Sequence, residues 1–229
     1  MNKRSLSLQL TPFQIAVHLA AWAPLMALLW DLWQGNLSVN PIQDITFRTG
    51  KAAMVLLVLS LAVTPVYTIF GFNRVLKVRR TLGLYAFFYA VLHFLTYAWL
   101  DYDWDFYLIR LEITEKPYVL VGFAAFLLLL LLAMTSTKGW QRRLKQGWKR
   151  LHRLVYVAAI LVMLHYIWVQ KADIRQPLVW TALLGILFIM RLPPVRRGIV
   201  QWRQRRSRAR QQSLSAHMTP ANEDITPLN

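Results

Sequence analysis

Residues 123–133 read FAAFLLLLLLA. Wound into a helix, this stretch presents no polar face, and a helix that is apolar all round belongs in lipid or in a deep core. It is the centre of a longer run from Tyr118 to Met134. Five more runs flank it: Phe13 to Trp33, Ala52 to Phe72, Leu82 to Leu100, Leu154 to Val169 and Leu178 to Leu192. Each approaches the ~20 residues a helix needs to cross a bilayer. The expected fold class is all-α, a polytopic membrane bundle of about six transmembrane helices. Lys3 and Arg4 ahead of the first run also suit the charged start of a cleaved signal. That run is long, however, ends in Trp30, Asp31 and Trp33, and has no clear small-residue cleavage site, so it reads as a retained first helix.

A net charge of +17 first suggests nucleic acid, but the basic residues alternate by loop. The N-terminus, the 72–81 loop, the 135–153 loop and everything from Arg191 onward hold 21 of the 27 Lys and Arg, with only Glu223 and Asp224 as acids. On a six-helix path these sections share one side. The other side has Arg48, Lys51, Arg110, Lys116, Lys171 and Arg175 against eight acids. The excess of Lys and Arg marks the cytoplasmic side, so both termini are expected in the cytoplasm. Two domains follow: a transmembrane domain over residues 1–195, and a basic cytoplasmic tail over 196–229, expected to be disordered and most plainly so from Ser213 to Asn229. The juxtamembrane stretch RRGIVQWRQRRSRARQQ (196–212) suits orientation and contact with anionic lipid better than nucleic acid. No internal repeat, glycine-rich phosphate loop or second folded domain is evident.

The chain has no cysteine, which excludes disulfides, iron–sulfur clusters and covalent c-type haem attachment. Histidine is left as the metal ligand to consider. Ionisable residues inside a bilayer are costly and usually functional, so depth ranks them. At about 1.5 Å per residue, His93 lies roughly 20 Å from Arg80 along the third helix, and His165 roughly 22 Å from Arg150 along the fifth. Both helices run outward, so the two imidazoles share a level. Two neutral imidazoles at one level are what axial ligation of a haem iron requires, whereas two separate helix contacts are the plainer alternative. His152 lies roughly 20 Å below His165 and is either a ligand of an inner haem or an interfacial residue among Lys149, Arg150 and Arg153. His18, in the first helix, is a possible partner for His152, though a helix contact fits it better.

The segments TFRTGKAAMVLLVLSLAVTPV (46–66), RRTLGLYAFFYAVLHFLTYAW (79–99) and TSTKGWQRRLKQGWKRLHRLVYVAAILVMLHYIW (135–168) closely resemble the MsrQ family, formerly YedZ, of the ferric reductase-like transmembrane superfamily. The resemblance runs to about Arg197. It implies haem b and FMN as cofactors, and an inner-membrane location. It also implies a route of electrons from the quinone pool or a cytoplasmic flavin reductase to MsrP, a periplasmic molybdoprotein that reduces methionine sulfoxide in oxidised proteins. The family's essential histidines match His93, His152 and His165, and a common first-helix histidine matches His18. NADPH oxidases of the same superfamily have a further histidine near the start of the third helix, where this chain has Arg79 and Arg80. Their cytoplasmic FAD and NADPH domains have no counterpart here.

The expectation is therefore an electron-conducting bundle that performs no methionine chemistry itself. Arg79, Arg80, Lys138 and Arg142 are the candidate contacts for an FMN phosphate. A small transporter would need broken mid-membrane helices and inverted repeats. A haem-free scaffold for a soluble partner would be colourless.

Overall fold

The computed structural model describes residues 11–170 and 173–218, which leaves Lys3, Arg4, Lys171 and the end of the tail outside the described residues. All regular structure in it is helical. The helices are α1 (Pro12–Gln34), α2 (Pro41–Phe70), α3 (Asn73–Leu95, running on as a π turn Thr96–Asp101), α4 (Phe106–Glu115), α5 (Pro117–Met134), α6 (Lys138–Leu144), α7 (Gln146–Leu151), α8 (Leu154–Val169), α9 (Arg175–Ile189) and α10 (Pro193–Met218). Five spans are long and apolar enough to cross a membrane: α1, α2, α3 with its π turn, α5, and α7 continued by α8. The sixth is different. α9 alone has 15 residues and reaches that length only together with α10, from which it is bent by 74°.

Several element boundaries depart from the hydrophobic runs because capping, not hydropathy, sets them. α2 begins at Pro41, well ahead of Ala52, since Asn40 caps it by accepting from the Gln43 amide and Pro41 is preorganised for a first turn. The basic residues of the 72–81 loop mostly sit in the first turns of α3. α4 lies in what the sequence presents as a loop, capped by Asp105, whose carboxylate accepts from the amides of Tyr107 and Leu108. The tail also departs from the expectation of disorder, since residues 196–218 are helical. Pro193 and Pro194 start α10, its Arg and Gln residues are good helix formers, and Arg203 donates to the Tyr67 and Thr68 carbonyls at the end of α2.

The core is built from two helical hairpins. α2 packs along α3 and α5 along α8, and α3 meets α5 between them. Shifting the sequence by 72 residues superimposes one hairpin on the other: Gly50 on Gly122, Ala52 on Ala124, Leu82 on Leu154, Ala86 on Ala158, and Leu92-His93 on Leu164-His165. Ala86 and Ala158 are both fully buried, letting the helix backbones approach closely. The chain thus does contain an internal repeat, which corrects the expectation of none. Because both hairpins run in the same direction, it is a parallel repeat and not the inverted kind.

Two interior prolines have their consequences repaired by side chains. Pro65 in α2 has no N–H to give the Leu61 carbonyl, and a guanidinium N–H of Arg191 donates to that oxygen instead. Near Pro24 in α1, the Tyr89 hydroxyl accepts from the Leu25 amide at 3.1 Å and donates to the Ala21 carbonyl at 2.8 Å, replacing a broken rung of the helix. In lipid, an unsatisfied backbone group has no water to turn to, so such repairs hold helices together.

Candidate functional site

His93 on α3 and His165 on α8 meet across the junction of the two hairpins, with ring centroids 6.1 Å apart and planes at 79°. Each ring is held in the same way. His93 Nδ1 lies 2.9 Å from the Thr46 carbonyl of α2, and His165 Nδ1 lies 2.7 Å from the Tyr118 carbonyl of α5. A carbonyl only accepts, so in both rings Nδ1 carries the proton. Nε2 is then left with its lone pair.

What allows this approach is a glycine one turn along from each carbonyl. A Cβ on Gly50 would stand 3.0 Å from Cε1 and Nδ1 of His93, and one on Gly122 would stand 2.6 Å from Nδ1 of His165. Neither position leaves room for a side chain, so the imidazoles lie directly on the helix backbones. The two rings share a cavity of about 590 Å³. Its lining repeats the 72-residue pairing: Met54 with Phe126, Leu57 with Leu129, Ala90 with Val162. Phe94 stacks on Phe126 at 4.8 Å and forms one wall. At the mouth, Lys116 pairs with Glu112, which raises the Lys116 pKa. Burial, followed by hydrogen bonding to Glu112, pushes the Tyr102 phenol up.

The arrangement suits one metal ion with two imidazole ligands. An imidazole nitrogen binds a metal at about 2 Å, so an ion between two opposed rings leaves their centroids on the order of 6 Å apart. Among the described residues no group of three or more His, Asp or Glu side chains could hold a metal. The remaining coordination positions would have to come from a ligand that fills the cavity, which is how a porphyrin is held.

The other expected site residues lie elsewhere. His152 follows α7, packs its ring against that of Trp148 with centroids 4.1 Å apart, and its Nε2 lies 3.3 Å from the Thr135 hydroxyl. Trp148 Nε1 donates to the Thr135 carbonyl, so this corner is tied to the end of α5. His18 pairs with the Tyr85 hydroxyl at 2.9 Å. The structure therefore partners His18 and His152 with other residues and not with each other. Arg79 and Arg80 are exposed on the first turns of α3. Sequence reasoning missed Gly50, Gly122 and the two carbonyls, although the glycines share the 72-residue spacing of the histidines. It also missed Arg191, whose guanidinium lies over the Tyr156 ring and donates to the Tyr156 hydroxyl.

Residues 49–163 match the model of the family described as ferric reductase like transmembrane component. Three curated relatives are named protein-methionine-sulfoxide reductase heme-binding subunit MsrQ. That of Xanthomonas campestris pv. campestris (strain 8004) is 44% identical over 193 residues, 82% of this chain and 88% of the relative. That of Xanthomonas axonopodis pv. citri (strain 306) is 46% identical over 177 residues, 75% of this chain and 81% of the relative. That of Rhodospirillum rubrum is 44% identical over 186 residues, 80% of this chain and 89% of the relative.

Proposed function

Because the chain belongs to the MsrQ family, within the ferric reductase-like transmembrane proteins, we propose that it is the haem-binding electron-transfer subunit of a protein-methionine-sulfoxide reductase system in the bacterial inner membrane. The observation that carries the haem is the twin cradle, in which two imidazoles have Nδ1 committed and Nε2 free, each lying on a glycine. Haem b, when bound there, supplies a one-electron carrier. His93 and His165 hold its iron. The Thr46 and Tyr118 carbonyls fix the ring tautomers and raise the basicity of the ligating nitrogens. Phe94 and Phe126 exclude water from the cavity, and so help to set the potential.

Electrons come from the quinone pool or a cytoplasmic flavin reductase and leave to an MsrP-like periplasmic molybdoprotein, where the methionine sulfoxide chemistry takes place. The basic ends of the helices face the cytoplasm, with both termini there and the α10 arginines against the anionic leaflet. His152, supported by Trp148 and Thr135, belongs to the cytoplasmic half of the route, and His18 stays a helix contact. Arg79 and Arg80 are the FMN phosphate contacts we favour, being exposed cations on that same side.

Purified protein is expected to show a dithionite-shifted Soret band with sharp α and β bands. His93→Ala and His165→Ala are each expected to abolish the same low-spin signal; full haem content with unchanged spectra in both variants would overturn the assignment. Haem per polypeptide and extractable flavin, measured in wild type and His152→Ala, then resolve the inner half. Loss of about half the haem makes His152 an inner ligand, and loss of flavin with haem retained places FMN beside it. Loss of neither, with electron delivery intact, reduces His152 to an interfacial residue.

A further inference from the structure

The two hairpins supply a matched cradle, yet the ligand proposed for it is not symmetric: haem b carries its two carboxylates on one edge. The cavity lining departs from its internal symmetry at several places: Tyr166 of the second hairpin stands where the first has Phe94, and two departures give the first hairpin the polar side chain. Lys51, beside Gly50, corresponds to Phe123, beside Gly122; Tyr97, one turn beyond His93, corresponds to Val169, one turn beyond His165. All four residues line the cavity. One hairpin therefore presents an ammonium and a phenol where its twin presents two apolar side chains.

Among the described residues, neither polar group has a hydrogen-bond or ion-pair partner. Among the described residues Lys51 forms no ion pair, while the other cavity-lining lysine, Lys116, is taken by Glu112. The Tyr97 hydroxyl is buried with no hydrogen-bond partner. A buried hydroxyl left unpaired costs on the order of 1–3 kcal/mol. A lysine at the edge of the hydrocarbon is also costly unless it finds an anion or the interface. Tyr97 further lies in the π turn Thr96–Asp101, an irregularity that often marks a functional position.

We propose that Lys51 and the Tyr97 hydroxyl receive a carboxylate of the tetrapyrrole held between His93 and His165, fixing which edge of the ring faces the α2–α3 hairpin. The inference rests on the haem reading above, and it gives the ammonium and the buried phenol of the α2–α3 hairpin an anionic partner. The alternative anion for Lys51 is a phospholipid phosphate at the membrane surface, since Lys51 also borders the apolar groove between α1 and α2.

The test uses the purified holoprotein and variants Lys51→Met, Lys51→Arg and Tyr97→Phe, read by resonance Raman in the propionate-bending region and by redox titration of the haem. A cation near the haem favours the reduced state. Lys51→Met is therefore expected to shift the bending band and to lower the reduction equilibrium constant about tenfold, ~59 mV for a one-electron couple, with the low-spin spectrum intact. Tyr97→Phe should shift the same band, and Lys51→Arg should restore both readouts. Should Lys51→Met leave the band and the potential unchanged while low-spin haem persists, Lys51 serves lipid and the proposal fails. Wild-type protein without a low-spin spectrum would instead sink the haem reading on which it rests.

Discussion

At the scale of single residues, the site depends on atoms that are absent. In an exposed helix, Gly→Ala gains on the order of 1 kcal/mol from propensity. At Gly122 that gain meets a Cβ placed 2.6 Å from the His165 ring, a separation that real contacts do not allow, so the ring or the helix must move. Overpacking of this kind costs roughly 1–3 kcal/mol and outweighs the propensity. Gly122→Ala is therefore expected to lower both the melting temperature and the low-spin haem content. Gly50→Ala, with 3.0 Å available, should do the same less severely, and Gly185→Ala, with nothing within 4 Å, should leave haem unchanged. Equal haem content in all three would mean that the glycines do not position the ligands. The histidines were legible in the sequence because depth follows from counting residues at a fixed rise. The glycines were not, because a lone Gly in an apolar helix reads only as a small propensity penalty until the residue facing it is known.

At the scale of elements, prolines inside membrane-spanning helices explain where polar side chains go. Arg191 reaches from beyond α9 to the Leu61 carbonyl because Pro65 cannot. This coupling predicts a double-mutant cycle. Arg191→Met alone removes the donor and leaves the carbonyl unsatisfied, at a cost of roughly 1–3 kcal/mol. In a Pro65→Ala background the backbone amide gained at that position serves the Leu61 carbonyl, so most of that cost should vanish. The two substitutions should then be non-additive by at least ~0.5 kcal/mol in reversible unfolding in detergent. Strict additivity would show that Arg191 is retained for another reason. Hydropathy located the apolar centres of α1, α2, α3, α5, α8 and α9, but not where they begin. Caps such as Asn40 and Asp105 decide that, and α4 escaped notice because ten residues with two glutamates and an arginine look like a loop until Asp105 is seen to cap them.

For the whole molecule, the question is which way the bundle lies in the membrane. The parallel repeat means that α2 and α5 run one way and α3 and α8 return, which puts the paired histidines near the Pro41 and Pro117 ends of the hairpins and His152 near the opposite end. The repeat itself was hidden because its matched positions are scattered among interchangeable Leu, Val and Ala; only the Gly and His pairs carry information, and they lie on different helices. The ends near His152 carry Arg79, Arg80, Lys149, Arg150 and Arg153, while those near the cavity carry Asp44, Asp101, Glu112 and Glu115. If Lys and Arg are retained in the cytoplasm, as we propose, the paired-histidine cavity lies next to the periplasm and His152 next to the cytoplasm. Cysteines introduced singly at Asp103 and Asp173 should react with an impermeant maleimide in intact cells, and one at Lys145 only after lysis; the cysteine-free wild type supplies the blank. The opposite labelling pattern would put the paired-histidine cavity beside the cytoplasm. An electron path ending at a periplasmic reductase would then have to cross the bilayer beyond the cavity and not before it.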